Sequence, residues 1–284
     1  MFRGLYTATS GMMAHNRKQQ ILTNNLANAN TPGFKQDQTV IRAFPDQLIR
    51  AMQMGPEDQN GIKVPPGQPF IGTLHTGVYA QEGVTSFTQG PLKETGNPTD
   101  ISLLDEALPL NPETQAKGTL VFAVALDNNQ IRYTKNGQFT INEDGFLTTS
   151  EGYPILNQDM QPIEVNSNEF KVLEDGQVVQ PNGLNNARLW VGYTEETGQF
   201  VKEGHGLLRW EGNPEVGPQF VDNVDFLNNT GSFVKQGFIE QSNVDVTQTM
   251  TEMMTTYRGF ESNQKVIQAY DRSMEKTVNE IGRI

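Results

Sequence analysis

The chain of 284 residues contains no cysteine. That excludes disulfides, thiol catalysis and cysteine-ligated zinc or iron–sulfur centres. Histidine is nearly as scarce. His15, His75 and His205 lie far apart, and none has a second histidine at helical metal-binding spacing. A metal site is not expected. Basic charge is in deficit: 21 Lys and Arg stand against 33 Asp and Glu, a net charge of −12. So acidic a surface repels nucleic acid and anionic lipid, and neither is expected as a partner. Long apolar runs are also missing. The longest, Leu120 to Leu126, is far short of the roughly 18–20 residues of a membrane-spanning helix. No membrane insertion is expected. Residues 1–30 have no apolar signal-peptide core and are rich in amides through Gln19, Gln20, Asn24, Asn25, Asn28 and Asn30. The chain is expected to be soluble as made and to leave the cell, if it does, without a cleaved signal.

Signatures of catalysis are lacking too. There is no Gly-x-Ser-x-Gly elbow and no glycine-rich phosphate loop of standard spacing. Asp100, Asp105 and Glu106 could be read as an acid–base set. Nothing in their surroundings aims them at one cleft, and a solvated surface is the simpler reading. Asn142, Asp144, Gly145 and Glu151 fall near calcium-loop spacing, but Thr140 occupies the first position. A hairpin turn is expected there instead. No enzymatic activity and no cofactor are expected.

What is present is organised in zones. Apolar residues make up 36% of the chain, thin for one compact core of this size. Several small cores, or surfaces completed by a partner, are expected. At the C-terminal end, steps of three and four residues give Val246, Met250, Met253, Tyr257, Phe260, Gln264, Ile267, Asp271, Met274, Val278 and Ile281. Nine of these eleven are apolar, the pattern of a coiled-coil seam. The same stepping near the N-terminus gives Leu5, Ala8, Met12, His15, Gln19, Leu22 and Leu26, and stops at Asn30-Thr31-Pro32-Gly33. Gly11 interrupts that segment. It reads equally well as a helix break and as a point of close approach to another helix. Each amphipathic end, alone, exposes an apolar seam and is expected to order on association.

The middle reads as strand and turn. Asn136-Gly137 and Asp144-Gly145 separate short alternating runs between Ile131 and Ile155, a hairpin pattern. Ala187 to Tyr193 reads as a strand with Trp190 on one face and Leu189, Val191 and Tyr193 on the other. Gly and Pro crowd residues 53–70, which read as a loop or linker. An antiparallel β domain is expected here.

Several motifs then stand out in order. They are Ser10-Gly11-Met12, Asn24-Asn25-Leu26-Ala27-Asn28 and Asn30-Thr31-Pro32-Gly33-Phe34-Lys35 near the start. Phe87-Thr88-Gln89-Gly90-Pro91-Leu92, Thr95-Gly96-Asn97-Pro98-Thr99-Asp100-Ile101 and Tyr133-Thr134-Lys135-Asn136-Gly137 follow. Gly237-Phe238-Ile239-Glu240-Gln241-Ser242-Asn243-Val244-Asp245 precedes the terminal helix. Together they resemble the signatures of bacterial flagellar rod and hook proteins, and the chain length and opening are most similar to rod proteins of Gram-positive flagella. The run from Asp105 to Pro112 departs from the family pattern.

The resemblance implies an α+β fold, with long terminal helices forming a coiled-coil-like tube domain and a mainly antiparallel β middle domain. It implies four zones: 1–35, an N-terminal helix and Asn-rich turn; 36–84, a linker; 85–236, the β domain; and 237–284, the C-terminal helix. It implies a structural rod component, located in the flagellar basal body outside the cytoplasm and polymerised into a helical tube. The implied partners are copies of itself, other rod and hook proteins and the flagellar type III export apparatus. The assembly contacts would be Leu5, Met12, Leu22 and Leu26 at one end, with the amides Asn24, Asn25, Asn28 and Asn243. At the other end they would be Val246, Met250, Met253, Tyr257, Phe260, Ile267, Met274, Val278 and Ile281. Local turn capping is the competing role for the amides. Two other functions fit the residues less specifically: a secreted surface adhesin or cell-wall-binding oligomer, and a cell-wall hydrolase.

Overall fold

The computed structural model describes residues 3–44, 47–50, 70–74, 77–105, 108, 117–126, 130–165, 170–181, 187–221 and 232–281. Most of the Gly/Pro-rich stretch at 53–70 and Glu106 lie outside the described residues. The chain divides into two compact units, one of residues 1–24, 38–84 and 247–284, the other of residues 25–37 and 85–246.

In the first unit the chain's two long helices, α1 (Arg3–Ala27) and α2 (Val246–Ile281), lie side by side. They run antiparallel. Gly4 faces Tyr270, Gly11 faces Asn263 and His15 faces Gly259, while Lys18 pairs with Glu252 at 3.2 Å. Numbers that rise on one helix fall on the other. The contact is made by small and polar residues. A Cβ on Gly11 would stand 2.9 Å from Asn263 Nδ2, and one on Gly259 would stand 2.7 Å from His15 Nε2. Gly11 therefore marks close helix approach, and α1 runs through it without a break. Thr249 and Thr256, in step with Glu252 and Gly259, are buried. Two strand pairs complete this unit: β1 (Asp37–Ala43) with β4 (Val78–Thr85), and β2 (Gln47–Arg50) with β3 (Phe70–Leu74). Ser10 Oγ accepts a hydrogen bond from Val78 N–H at 3.3 Å and so fixes the start of β4 on α1.

In the second unit the apolar run at 120–126 forms the middle of the main sheet. That strand is β7 (Thr119–Ala125), flanked by β8 (Ile131–Thr134) and β13 (Val191–Thr194). The sheet order is β14-β15-β8-β7-β13-β16, with β14 at Phe200–Gly204, β15 at Leu207–Trp210 and β16 at Gln219–Phe220. All its pairings are antiparallel. A strand covered on both faces needs no polar alternation, which is why β7 reads as a continuous apolar run. Leu120, Phe122 and Val124 enter the main core with Ile101, Phe139, Leu147, Ile155, Ile163 and Leu189. Val121 and Ala123 face the other way, toward an aromatic layer of Tyr133, Trp190, Phe200 and Trp210. Trp190 lies on that second face and Leu189, Val191 and Tyr193 on the first, as the alternation around them requires.

Four two-stranded ribbons surround the sheet: β5 (Leu92–Glu94) with β18 (Phe238–Glu240), β6 (Ile101–Leu103) with β17 (Val234–Gln236), β9 (Phe139–Ile141) with β10 (Leu147–Thr149), and β11 (Lys171–Val172) with β12 (Val178–Val179). Residues 142–146 make the β9–β10 hairpin turn, where Asn142 Oδ1 accepts from Phe146 N–H at 2.7 Å and Gly145 takes φ +83°. Asn136-Gly137 makes no hairpin, contrary to expectation. β8 pairs with β7 and β15, while β9 pairs with β10. Gly137 is needed for another reason: any Cβ there would overlap the Ile101 carbonyl.

The coiled-coil-like tube domain expected of the terminal helices is not found among the described residues. Among the described residues there is one long helix at each end of the chain and a sheet-rich middle built of one six-stranded sheet and ribbons. The helix ends are not unordered seams awaiting a partner either; they pair with each other within one chain. The physical reason is that the small-residue faces of α1 and α2 allow closer approach than their apolar stripes do.

Candidate assembly site

The sequence motifs converge on one place in the second unit. Lys35 Nζ donates to Glu240 Oε1 at 2.5 Å and to the Thr88 carbonyl at 2.9 Å. The same carboxylate oxygen accepts from Gly90 N–H at 2.8 Å, and the Glu240 carbonyl accepts from Gly33 N–H at 2.8 Å. One acid thus ties three motifs separated by up to 205 residues. Nearby, Lys135 Nζ donates to Asp105 Oδ2, which also accepts from Thr119 Oγ1 at 3.1 Å, while Asp105 Oδ1 accepts from Leu120 N–H at 3.1 Å. Gln89, next to Gly90 in the chain, holds the main chain on both sides of Leu104: its amide donates to the Leu103 carbonyl at 2.9 Å and accepts from Asp105 N–H at 3.0 Å.

All four charges are almost fully buried, with Lys35 and Glu240 at 3% and 2% side-chain exposure. Burial pushes the Lys35 ammonium below the usual lysine range; the neighbouring Lys135 charge adds to this and Glu240 opposes it. The cluster is neutral in sum, as a buried set of charges must be. It corrects the reading of Asp100 and Asp105 as solvated: both are buried. Asp100 accepts from Thr95 Oγ1 at 2.6 Å and holds Gly237 N–H through its carbonyl at 2.7 Å. An open groove of about 690 Å³ runs along Phe87 to Leu92 beside Asp105. The carboxylate at its edge is already held by Lys135, Thr119 and Leu120, so it presents no free acid or base.

The motif glycines and amides are explained by the same packing. A Cβ on Gly33 would stand 2.5 Å from Asn136 N, and one on Gly90 would overlap the Gln241 carbonyl. Asn25 reads both main-chain groups of Asp37, donating to its carbonyl at 2.8 Å and accepting from its N–H at 3.0 Å. Asn243 accepts from Gln36 N–H at 2.7 Å and donates to the Ser86 carbonyl at 2.9 Å. These bonds span distant segments of one chain. Lys202, from β14, donates to Asp37 Oδ1 at 2.8 Å and lies 4.3 Å from the centre of the Phe34 ring. Burial lowers its pKa, against the pull of Asp37.

Three blocks of the sequence match known family models. Residues 5–35 match the model described as flagella basal body rod protein, and residues 117–180 the flagellar hook protein FlgE/F/G D1 domain. Residues 235–280 match the flagellar basal body rod FlgEFG protein C-terminal model. The chain is 43% identical to the flagellar hook-basal body complex protein FlhO of Bacillus subtilis, over 100% of both chains. It belongs to the flagellar basal-body rod protein family. It is also 29% identical to the flagellar basal-body rod protein FlgG of Bacillus subtilis, over 98% of this chain and 99% of that one. To the flagellar basal-body rod protein FlgF of Caulobacter vibrioides it is 28% identical, over the whole of both. In this rod-family chain the first matched block ends on Lys35, the second contains Lys135 and the third contains Glu240.

The residues expected to make assembly contacts differ widely in exposure. Leu22 and Asn25 are buried within the chain. Leu5, Met12, Leu26, Asn28 and Asn243 are half-buried, and Asn24 is exposed. On α2 the stripe splits into two rows. Met253, Phe260, Ile267 and Met274, seven residues apart, are half-buried. Val246, Met250, Tyr257 and Val278 are exposed, Tyr257 at 56% and Val278 at 72%. Ile281 lies in the last turn of α2. Sequence reasoning missed the exposed Met254, Tyr6 and Met13, which stand off the stripes it followed. It also missed the buried charge cluster. The available signal was a lone charge, Lys135, in the otherwise uncharged run from Tyr133 to Thr140.

Proposed function

We propose that this chain is a structural, non-enzymatic component of the flagellar basal-body rod, exported by the flagellar type III apparatus without a cleaved signal and built into a helical assembly outside the cytoplasm. Its partners are copies of itself and other rod and hook proteins. Whole-length similarity to rod-family proteins is the observation that supports this reading most directly. The exposed apolar row of α2 supports it physically: Met250, Met254 and Tyr257 are each about half exposed or more. Such a row invites burial by another surface. A contact between unlike faces that does not close on itself propagates as a helical polymer. In this reading the zones 1–35 and 237–284 carry the assembly contacts, residues 85–236 form the body, and 36–84 connect them. Leu5, Met12, Leu26, Val246, Met250, Met253, Tyr257, Phe260, Ile267, Met274, Val278 and Ile281 remain the proposed contact set, with the amides Asn24, Asn28 and Asn243; Leu22 and Asn25, also expected there, are buried within the chain. The test is electron microscopy of basal bodies from a strain lacking this chain. Rods that halt before the hook support the proposal; complete rods with hooks refute it.

A further inference from the structure

The buried lysine at the start of the second unit has its counter-charge at the far end of the same unit. Lys35 and Glu240 are both almost fully buried, and Lys35 donates to Glu240 and to the Thr88 carbonyl. The other ion pair of the cluster, Lys135 with Asp105, is complete 105 residues before Glu240 in the chain. Two late strands come from the same place. β17 pairs with the fully buried β6, and β18 with β5. The Gln241 carbonyl fits against Gly90 with no space for a side chain.

We infer that Glu240 is a late-arriving latch, so that residues 25–37 and 85–236 stay open until residues 237–243 reach them. A polypeptide emerges N-terminus first from a ribosome or from any pore it threads. Closing the unit before Glu240 arrives would leave two buried ammonium groups, Lys35 and Lys135, to share the Asp105 carboxylate, which is strongly disfavoured. The pair does not need to add net stability to do this. A well-packed apolar pair of similar size would serve the finished fold as well or better. What the charge adds is conditionality: the body closes only when both of its ends are present. The inference does not depend on the rod assignment, since it concerns the order of closure in a single chain.

The test is pulse proteolysis of the full-length chain arrested during cell-free synthesis. In one arrest residues after 236 are still inside the ribosomal tunnel; in the other a linker has carried the whole chain out. The held chain is cleaved throughout 85–236, and the extruded chain yields a resistant body. Extruded Glu240→Gln is cleaved about 100-fold faster than the parent, because two buried ammonium groups now share the Asp105 carboxylate. The apolar double variant Lys35→Met/Glu240→Leu regains resistance to within about tenfold of the parent. Resistance of the held chain overturns the inference. So does an unchanged rate in Glu240→Gln, or a double variant as sensitive as the single one.

Discussion

Gly137 and Gly96 sit in motifs of equal prominence, yet they carry different constraints. Gly137 has ordinary backbone angles but no space, because a Cβ would strike the Ile101 carbonyl, a main-chain atom that cannot turn away. Gly96 has φ +72° and open space around it. Gly137→Ala is expected to lower unfolding free energy by about 3 kcal/mol, and Gly96→Ala by about 1 kcal/mol, the strain of the left-handed region alone. Urea titrations of the two variants check the order. The buried lysine makes a second prediction. Lys35 binds its proton more weakly in the folded chain than in the unfolded one. The unfolded state therefore holds more protons in the window from the lowered folded value up to the ordinary 10.5. Stability contributed by this group rises with pH across that window and is flat below it. The difference in unfolding free energy between the parent and Lys35→Met/Glu240→Leu, followed by urea titration from neutral pH upward, should increase in the parent's favour; a flat difference refutes the shift.

At the scale of elements, the two helices show what a pattern of residues can and cannot fix. The stripe at 246–281 correctly implies a helix there, because a sustained three–four repeat of apolar residues suits no strand. It does not say which face meets α1. Half the stripe, Met253 to Met274, flanks the contact, while the other half stays outside. The contact itself is made by Gly4, Gly11, Gly259, Asn263 and Tyr270, residues that a hydrophobicity pattern passes over. In the sheet, Asp144-Gly145 was legible as a hairpin turn, while the apolar run at 120–126 was weighed only as a membrane span and is the buried strand β7. Asn136-Gly137 was not legible as a crossover, because the dipeptide is identical whether glycine is needed for its angles or for its lack of a side chain. The ion pairs were invisible for a similar reason: an acid at 240 and a base at 35 carry no local sign that they meet. The helix contact yields the third prediction. Gly259→Ala should destabilise by about 1–2 kcal/mol through His15. Adding His15→Ala should relieve most of that loss. Thermal melts of the two single variants and the double form a cycle, and strict additivity would sink the proposed contact.

At the scale of the whole molecule, the chain separates what holds it together from what it offers outward. Its acidic charge of −12 and its exposed apolar residues on α2 belong to the surface. Its paired charges and its glycine contacts belong to the interior. Substitutions can therefore divide folding from assembly. Met254 and Tyr257 are 58% and 56% exposed. Met254→Asp with Tyr257→Asp should leave the melting temperature of the purified chain nearly unchanged, since surface substitutions of this kind shift stability by about 0.5 kcal/mol or less. A strain carrying the pair should nevertheless fail to swim in soft agar, because two carboxylates cannot be buried between subunits without partners. Phe260→Ala is the contrasting change. Phe260 is half-buried beside the helix contact, so its truncation should lower the melting temperature directly. If the exposed double variant swims normally while accumulating to the parent's level, this row of α2 is not an assembly surface. The face opposite α1 would then have to be abandoned as the place where subunits meet.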